Sequence, residues 1–231
     1  MLGVKSYAYG GATIDNNVVQ GYEKFNTIPV LGVRQQIGIY LNSSGVNKID
    51  FANTLYILWT DGNDFIDKPT LTPSAILTSL MNGVKDVLAI GAKHILVFNS
   101  VSVQSVPASE GLAPPAVLSY LTSLFNNALI AGLGIIQQNN TQATLSIFDI
   151  NLLISKIVAS KSSYFTNTTA NCWNCVNATT IVKHCENPKQ YVFLDLQHFT
   201  SRVGELIANA IRQFLFTSYE INSSAYLVRP T

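Results

Sequence analysis

Short apolar, β-rich runs alternate along this chain with longer stretches of helical period, and that alternation constrains the fold more than any other feature. The runs are Thr54–Trp59, His94–Phe98, Thr144–Phe148 and the segment beginning Tyr191-Val192-Phe193-Leu194. Thr72-Pro73 reads as a helix start, and Ile76, Leu77, Leu80, Met81, Val84, Val87 and Leu88 keep a 3.6-residue period until Gly91. A second helix is predicted from Pro115, with Leu118, Leu121, Phe125 and Leu129 on one face. A third follows Asp149 to about Ser160, and a fourth runs from Ser201 to Phe216 with Leu206, Ile207, Ala210, Ile211, Phe214 and Leu215 as its buried stripe. A continuously apolar strand must be covered on both faces, and parallel neighbours need a crossover helix. The pattern therefore predicts one α/β domain built on a single parallel sheet with helices on both sides. Residues 5–9 are expected to add a short strand entering Gly10-Gly11, and residues 28–41 an amphipathic helix.

Polar groups gather where these strands end. Thr60-Asp61-Gly62-Asn63-Asp64 follows the first apolar run, Asp149 follows Phe148, and Asp195 stands three residues before His198 ahead of the last helix. Open α/β sheets place their sites at the carboxyl ends of strands. An Asp beside a His can accept the proton of one ring nitrogen and leave the other free to take a proton from a nucleophile. A D-x-x-H spacing taken singly also recurs in ordinary turns. His94, at a strand entrance, reads as structural, and the Ser/Pro/Gly-rich residues 100–115 as part of a substrate rim.

Composition removes some function classes. Charged residues make up 12% of the 231 positions, and the formal net charge is +1, so no basic field exists to hold a nucleic acid. No uninterrupted apolar run reaches the roughly 18 to 20 residues that a membrane span requires. Met1-Leu-Gly-Val-Lys-Ser6 does not read as a signal peptide, yet N-x-[ST] sequons at Asn42, Asn139, Asn167, Asn177 and Asn222 in a surface rich in Ser, Thr and Asn look extracellular. Cys172, Cys175 and Cys185 share one window with His184. Four zinc ligands can be drawn there, but adjacent His and Cys rarely reach one tetrahedral metal, so a disulfide with one cysteine left over is the expectation.

Taken in order, Ser6-Tyr-Ala-Tyr-Gly-Gly-Ala-Thr-Ile-Asp15, Leu55-Tyr-Ile-Leu-Trp-Thr-Asp-Gly-Asn-Asp64 and Tyr191-Val-Phe-Leu-Asp-Leu-Gln-His198 resemble the second, third and fifth blocks of the GDSL, or SGNH, hydrolases. The look is nearest to fungal secreted acetylesterases and lipase-like members, and covers nearly the whole chain. The resemblance implies a single three-layer, flavodoxin-like domain over residues 1–231 and hydrolysis of acetyl or short-acyl esters, the substrate being a small-molecule ester or an acetylated sugar. It implies His198 as general base, Asp195 as its orienting partner, and an oxyanion hole made by the Gly11 N–H and the Asn63 side chain. No metal or organic cofactor is implied.

The match departs from the family in three places. Asp61 stands where the third block usually has glycine, and Phe199 replaces the proline after the histidine, leaving Thr200 to cap the helix. The family's nucleophilic serine belongs to a Gly-Asp-Ser block some tens of residues before block two, and Ser6, Ser100 and Ser105 are not in that context. The expectation is an N-terminally truncated chain without its nucleophile and without the first, central strand of the sheet, and hence poorly stable alone. The alternative is a non-catalytic carbohydrate- or lipid-binding pseudoenzyme that keeps Trp59, Tyr9 and Phe199 for contact.

Overall fold

The computed structural model describes residues 3–23, 27–60, 62–68, 70–160, 165–177 and 180–219. In chain order the elements are β1 (Gly21–Glu23), β2 (Ile28–Val30), α1 (Val33–Leu41), β3 (Leu55–Leu58), α2 (Asn63–Asp67), α3 (Pro73–Ala89), β4 (His94–Phe98), α4 (Pro115–Gln138), β5 (Thr144–Phe148), α5 (Ile150–Ala159), β6 (Asn167–Asn171), β7 (Trp173–Asn177), β8 (Thr180–His184), β9 (Tyr191–Phe193) and α6 (Ser201–Tyr219).

The centre is a parallel sheet in the order β3-β4-β5, with Leu55 opposite His94 and Phe98 opposite Phe148. Alternation along β4 divides the core. Ile95 and Val97 face a layer containing Ile76, Leu80 and Val84 of α3 and Phe125 and Leu129 of α4, while Leu96 and Phe98 face Ile150 and Ile154 of α5 and Val203 and Ile207 of α6. Successive side chains of a strand point to opposite faces, so four consecutive apolar residues at most 1% exposed require cover on both. The expected α/β architecture with helices on two faces is present. α4 is 24 residues long without a charged side chain, and by length and composition it could cross a bilayer. Its residues Leu118, Phe125, Leu129, Leu133 and Ile136 are buried in the core formed with α3, the packing of a core helix.

Several local expectations are corrected. Residues 5–9 form no strand; the segment is held by side chains, with the Tyr7 ring edge-on to Tyr40 at 5.5 Å and the Lys5 ammonium 5.0 Å over Tyr7. The helix expected over 28–41 is split, because Pro29 is extended opposite Tyr22 in the β1–β2 hairpin and α1 begins only at Val33. Proline also biases Ile28 toward extended backbone. β9 does not join the central sheet but pairs with β6, a strand that the cysteine-bearing loop supplies. Val192 and Phe193 are nonetheless fully buried, in the same core as Phe148.

Candidate active site

The segment that leaves β9 folds back on itself within a few residues. Leu194 donates its N–H to the His198 carbonyl at 2.8 Å, and Thr200 donates its N–H to Val192 O at 3.0 Å. This closure turns Asp195 and His198 toward each other. The Asp195 carboxylate accepts the backbone N–H groups of Gln197 at 2.8 Å and His198 at 2.7 Å, and lies 2.8 Å through Oδ2 from His198 Nδ1. Nε2 has no hydrogen-bond partner among the described residues, and the imidazole side chain is 70% exposed. Burial alone would raise the Asp195 pKa, but the hydrogen bonds from His198 and Gln197 hold it below its ordinary value. The same pair raises His198, by hydrogen bond first and by charge as well, against a smaller opposing effect of burial. The arrangement is a base with one nitrogen fixed and the other presented outward.

Phe199, Cys172, Trp173 and Ala108 brace this turn. Phe199 packs against Phe193 at 5.5 Å, filling the position after the histidine with an aromatic contact. Cys172 and Trp173 donate their N–H groups to Phe193 O and Leu194 O at 3.1 and 2.6 Å, and Cys172 is disulfide-bonded to Cys185. The disulfide therefore staples the β7–β8 hairpin beside the Asp195 turn; the Cys175 side chain lies outside the described part of the structure. Ala108, from the loop expected to form a rim, donates to Leu196 O at 2.8 Å. Thr200 stands directly before α6, and its hydroxyl is engaged by the start of β9. It donates to Tyr191 O at 2.7 Å, and the Thr200 carbonyl takes the Gly204 N–H.

The second half of the site comes from residues far apart in sequence. Gly11 has a φ of +76°, and a Cβ there would lie 1.9 Å from Tyr22 O, so the turn after Gly10 accepts no side chain. Gly62, at φ +37°, turns the chain into α2. The first residue of that helix, Asn63, donates Nδ2–H to Ala12 O at 2.8 Å and so stands beside the Gly11 turn. Asp64 accepts the Ile14 N–H at 3.1 and 3.2 Å on its two oxygens. Gly11 and Asn63 are thus brought together, as are Asp195 and His198, while no hydrogen bond or ring contact among the described residues joins the two halves. Asp61 lies outside the described residues.

A family model of the GDSL-like lipase/acylhydrolases matches residues 1–211. The chain belongs to that family. It is 22% identical over 244 residues to a GDSL esterase/lipase of Arabidopsis thaliana, an alignment covering 91% of this chain and 66% of the plant protein. It is 26% identical over 186 residues to an uncharacterised protein encoded in the trpE–trpG intergenic region of Pseudomonas putida, covering 73% of this chain and 30% of that one. The chain thus spans just under two thirds of the length of one curated relative and less than a third of the other.

The structure describes the three serines named on sequence. Ser100 is 2% exposed, with its N–H and C=O both bonded to the Asn126 amide at 2.8 and 2.9 Å. Ser6 Oγ accepts from Ala8 N at 3.3 Å, and Ser105 closes a 3₁₀ turn. His94 is structural, its Nε2 3.1 Å from Ala52 O and its ring edge-on to Tyr219. Sequence reasoning missed the polar frame beneath the strand ends. Asn99 donates to Asp149 at 2.8 Å and accepts the Asn151 N–H at 3.0 Å, while Asp149 caps α5 at Leu152 N. The available signal was Asn99 directly after β4, matching Asp149 directly after β5.

Proposed function

We propose that this chain belongs to a serine esterase that cleaves acetyl or short-acyl esters, with His198 as general base, Asp195 as its orienting partner, and the Gly11 N–H and Asn63 amide as oxyanion donors. The observation that carries the reading is the 2.8 Å contact of Asp195 Oδ2 with His198 Nδ1, with Nε2 directed away from any protein partner among the described residues. In the reaction a serine Oγ bonds to the ester carbonyl carbon while His198 Nε2 takes the hydroxyl proton. The carbonyl electron pair moves onto oxygen, where a glycine N–H and an amide N–H stabilise it. The ester C–O bond then breaks, the departing alkoxide takes the proton from His198, and water repeats the sequence on the acyl-enzyme to release the acid.

The nucleophile in this reading belongs to a further strand of the same protein laid along β3. Among the described residues β3 is an edge of the central sheet, with Ile57 and Trp59, two residues apart, 51% and 41% exposed. An edge strand offers a row of unpaired N–H and C=O groups that another strand can take up. Its carboxyl end would then lie beside Gly62 and Asn63. The disulfide and the sequons support an extracellular site of action. Asn222 lies outside the described residues, as does the Asn177 side chain.

The deciding experiment is p-nitrophenyl acetate hydrolysis by the 231-residue chain, beside a form extended upstream through its reading frame, each with and without His198→Ala. The expected result is turnover in the extended form that His198→Ala removes. Turnover in neither form would replace the esterase reading with a non-catalytic carbohydrate- or lipid-binding one. Turnover in the short chain that needs His198 would place the nucleophile within these residues.

A further inference from the structure

The second of the two consecutive residues at the start of α2 has no part in the reaction just described, yet its placement is the more demanding. Asp64 is 3% exposed and, among the described residues, faces no cation across a hydrogen bond; its carboxylate is spent on the Ile14 N–H, fifty positions earlier in the chain. Asn63 holds Ala12 O at 2.8 Å. The pair therefore grips alternate residues of the strip that leaves the Gly11 turn, one through its carbonyl and the other through its amide. From the opposite side the start of α1 grips the same strip, with Val33 N–H on Thr13 O and Arg34 N–H on Ile14 O, both at 2.9 Å. Gly11 makes no backbone hydrogen bond of its own among the described residues; its turn is closed by the Ala12 N–H on Tyr9 O at 3.3 Å, and the strip from Ala12 onward anchors that turn.

Resting on the esterase reading above, we propose that Asp64 is the positioning residue of the oxyanion hole: its grip on Ile14 sets the Gly11 N–H at a fixed place relative to the Asn63 amide. A buried carboxylate is a costly way to hold one amide, since a neutral acceptor would serve, and such groups concentrate at functional sites. Burial pushes the Asp64 pKa up to about 7, against the Ile14 hydrogen bond and together with the carboxylates of Asp67 and Asp15. The other charged groups close by are Arg34 of α1, which faces Asp15, and its ion-pair partner Asp86 of α3. Protonation weakens Asp64 as an acceptor, so the grip on Ile14 changes with pH.

The test is a pH titration of the ¹⁵N-labelled 231-residue chain by NMR, repeated on His198→Ala to remove that group's titration and on Asp67→Asn to separate the neighbouring carboxylate. The expected result is an Ile14 amide resonance that titrates near neutrality in all three proteins, with the Gly11 amide and the Asn63 side-chain NH₂ following at the same midpoint. In Asp64→Asn all three should stop titrating. In an active extended form, Asp64→Asn should lower kcat by on the order of tenfold or more with KM unchanged, the scale of a small misplacement of catalytic groups. Gly11 and Asn63 resonances that ignore the Ile14 titration, or an Ile14 that does not titrate, overturn the inference. The esterase reading fails separately, through turnover that survives His198→Ala.

Discussion

The two halves of the candidate site are built in opposite ways. Asp195 and His198 lie three residues apart in one turn, and the carboxylate that orients the ring also accepts two backbone N–H groups of that turn. The Gly11–Asn63 half is assembled across about fifty positions, from a strip with no strand partner among the described residues, a helix start and a glycine that abuts Tyr22. A local pair can be lost without disturbing the core, because its geometry comes from its own turn. A long-range clamp is chemistry and architecture at once, so damage to it registers in both.

The largest expected effect tests the local half. In an active extended form, His198→Ala should lower kcat by about 10⁴-fold or more, the scale for loss of a triad base, while the thermal midpoint hardly moves because the ring is mostly exposed. A large loss of stability would show that the turn is architectural after all. Asn63→Ala comes next, at on the order of 10²-fold in kcat for one oxyanion donor. It should also cost about 1 kcal/mol of stability, because Ala12 O loses its amide partner. A loss confined to KM would make Asn63 a substrate contact. Cys172→Ser with Cys185→Ser sharpens the comparison from the other side, since the disulfide staples the hairpin that holds Phe193 O and Leu194 O. For a loop of this length, chain entropy gives about 3 kcal/mol, read as a lower denaturant midpoint. Hydrogen exchange should quicken at Trp173 and Leu194 and stay unchanged at Ile14.

That contrast also explains what was legible beforehand. The strands over 94–98 and 144–148 and the helices from Pro73 and Pro115 follow from period and capping alone, and the structure places them there. Asp195 and His198 were legible because their geometry is written in four consecutive residues. Gly11 and Asn63 entered through family resemblance, and their joining through Ala12 depends on packing that no local pattern encodes. The β1–β2 hairpin was hidden by three-residue strands around Pro29, and β6 by a polar stretch, Asn167–Asn171, that is a strand only because β9 pairs with it. Residues 5–9 have strand composition, but among the described residues they have no ladder partner, and composition cannot supply one.

The two halves should also part company in how they respond to pH. Asp195 is lowered in the folded state, so its contribution is present above the unfolded carboxylate range and is lost as pH falls through the folded value. His198 is raised, so its contribution is present below an unfolded value near 6.5 and is lost as pH rises through the folded one; with the ring mostly exposed, solvent screens most of it. Asp64 behaves in the opposite sense to Asp195. Its folded pKa of about 7 means that the folded state keeps a proton which the unfolded chain has already released, so stability falls as pH rises from about 4 toward 7. Between pH 6 and 7 the loss should be roughly 1 kcal/mol, within the limiting slope of about 1.4 kcal/mol per pH unit for one proton. Urea unfolding at pH 5, 6 and 7 measures it, and His198→Ala as the background removes the smaller slope of the same sign. On that background Asp64→Asn should flatten the profile. A slope that survives the substitution would assign the excess proton to Asp67, which burial also raises, and would count against a pH-dependent grip of Asp64 on Ile14.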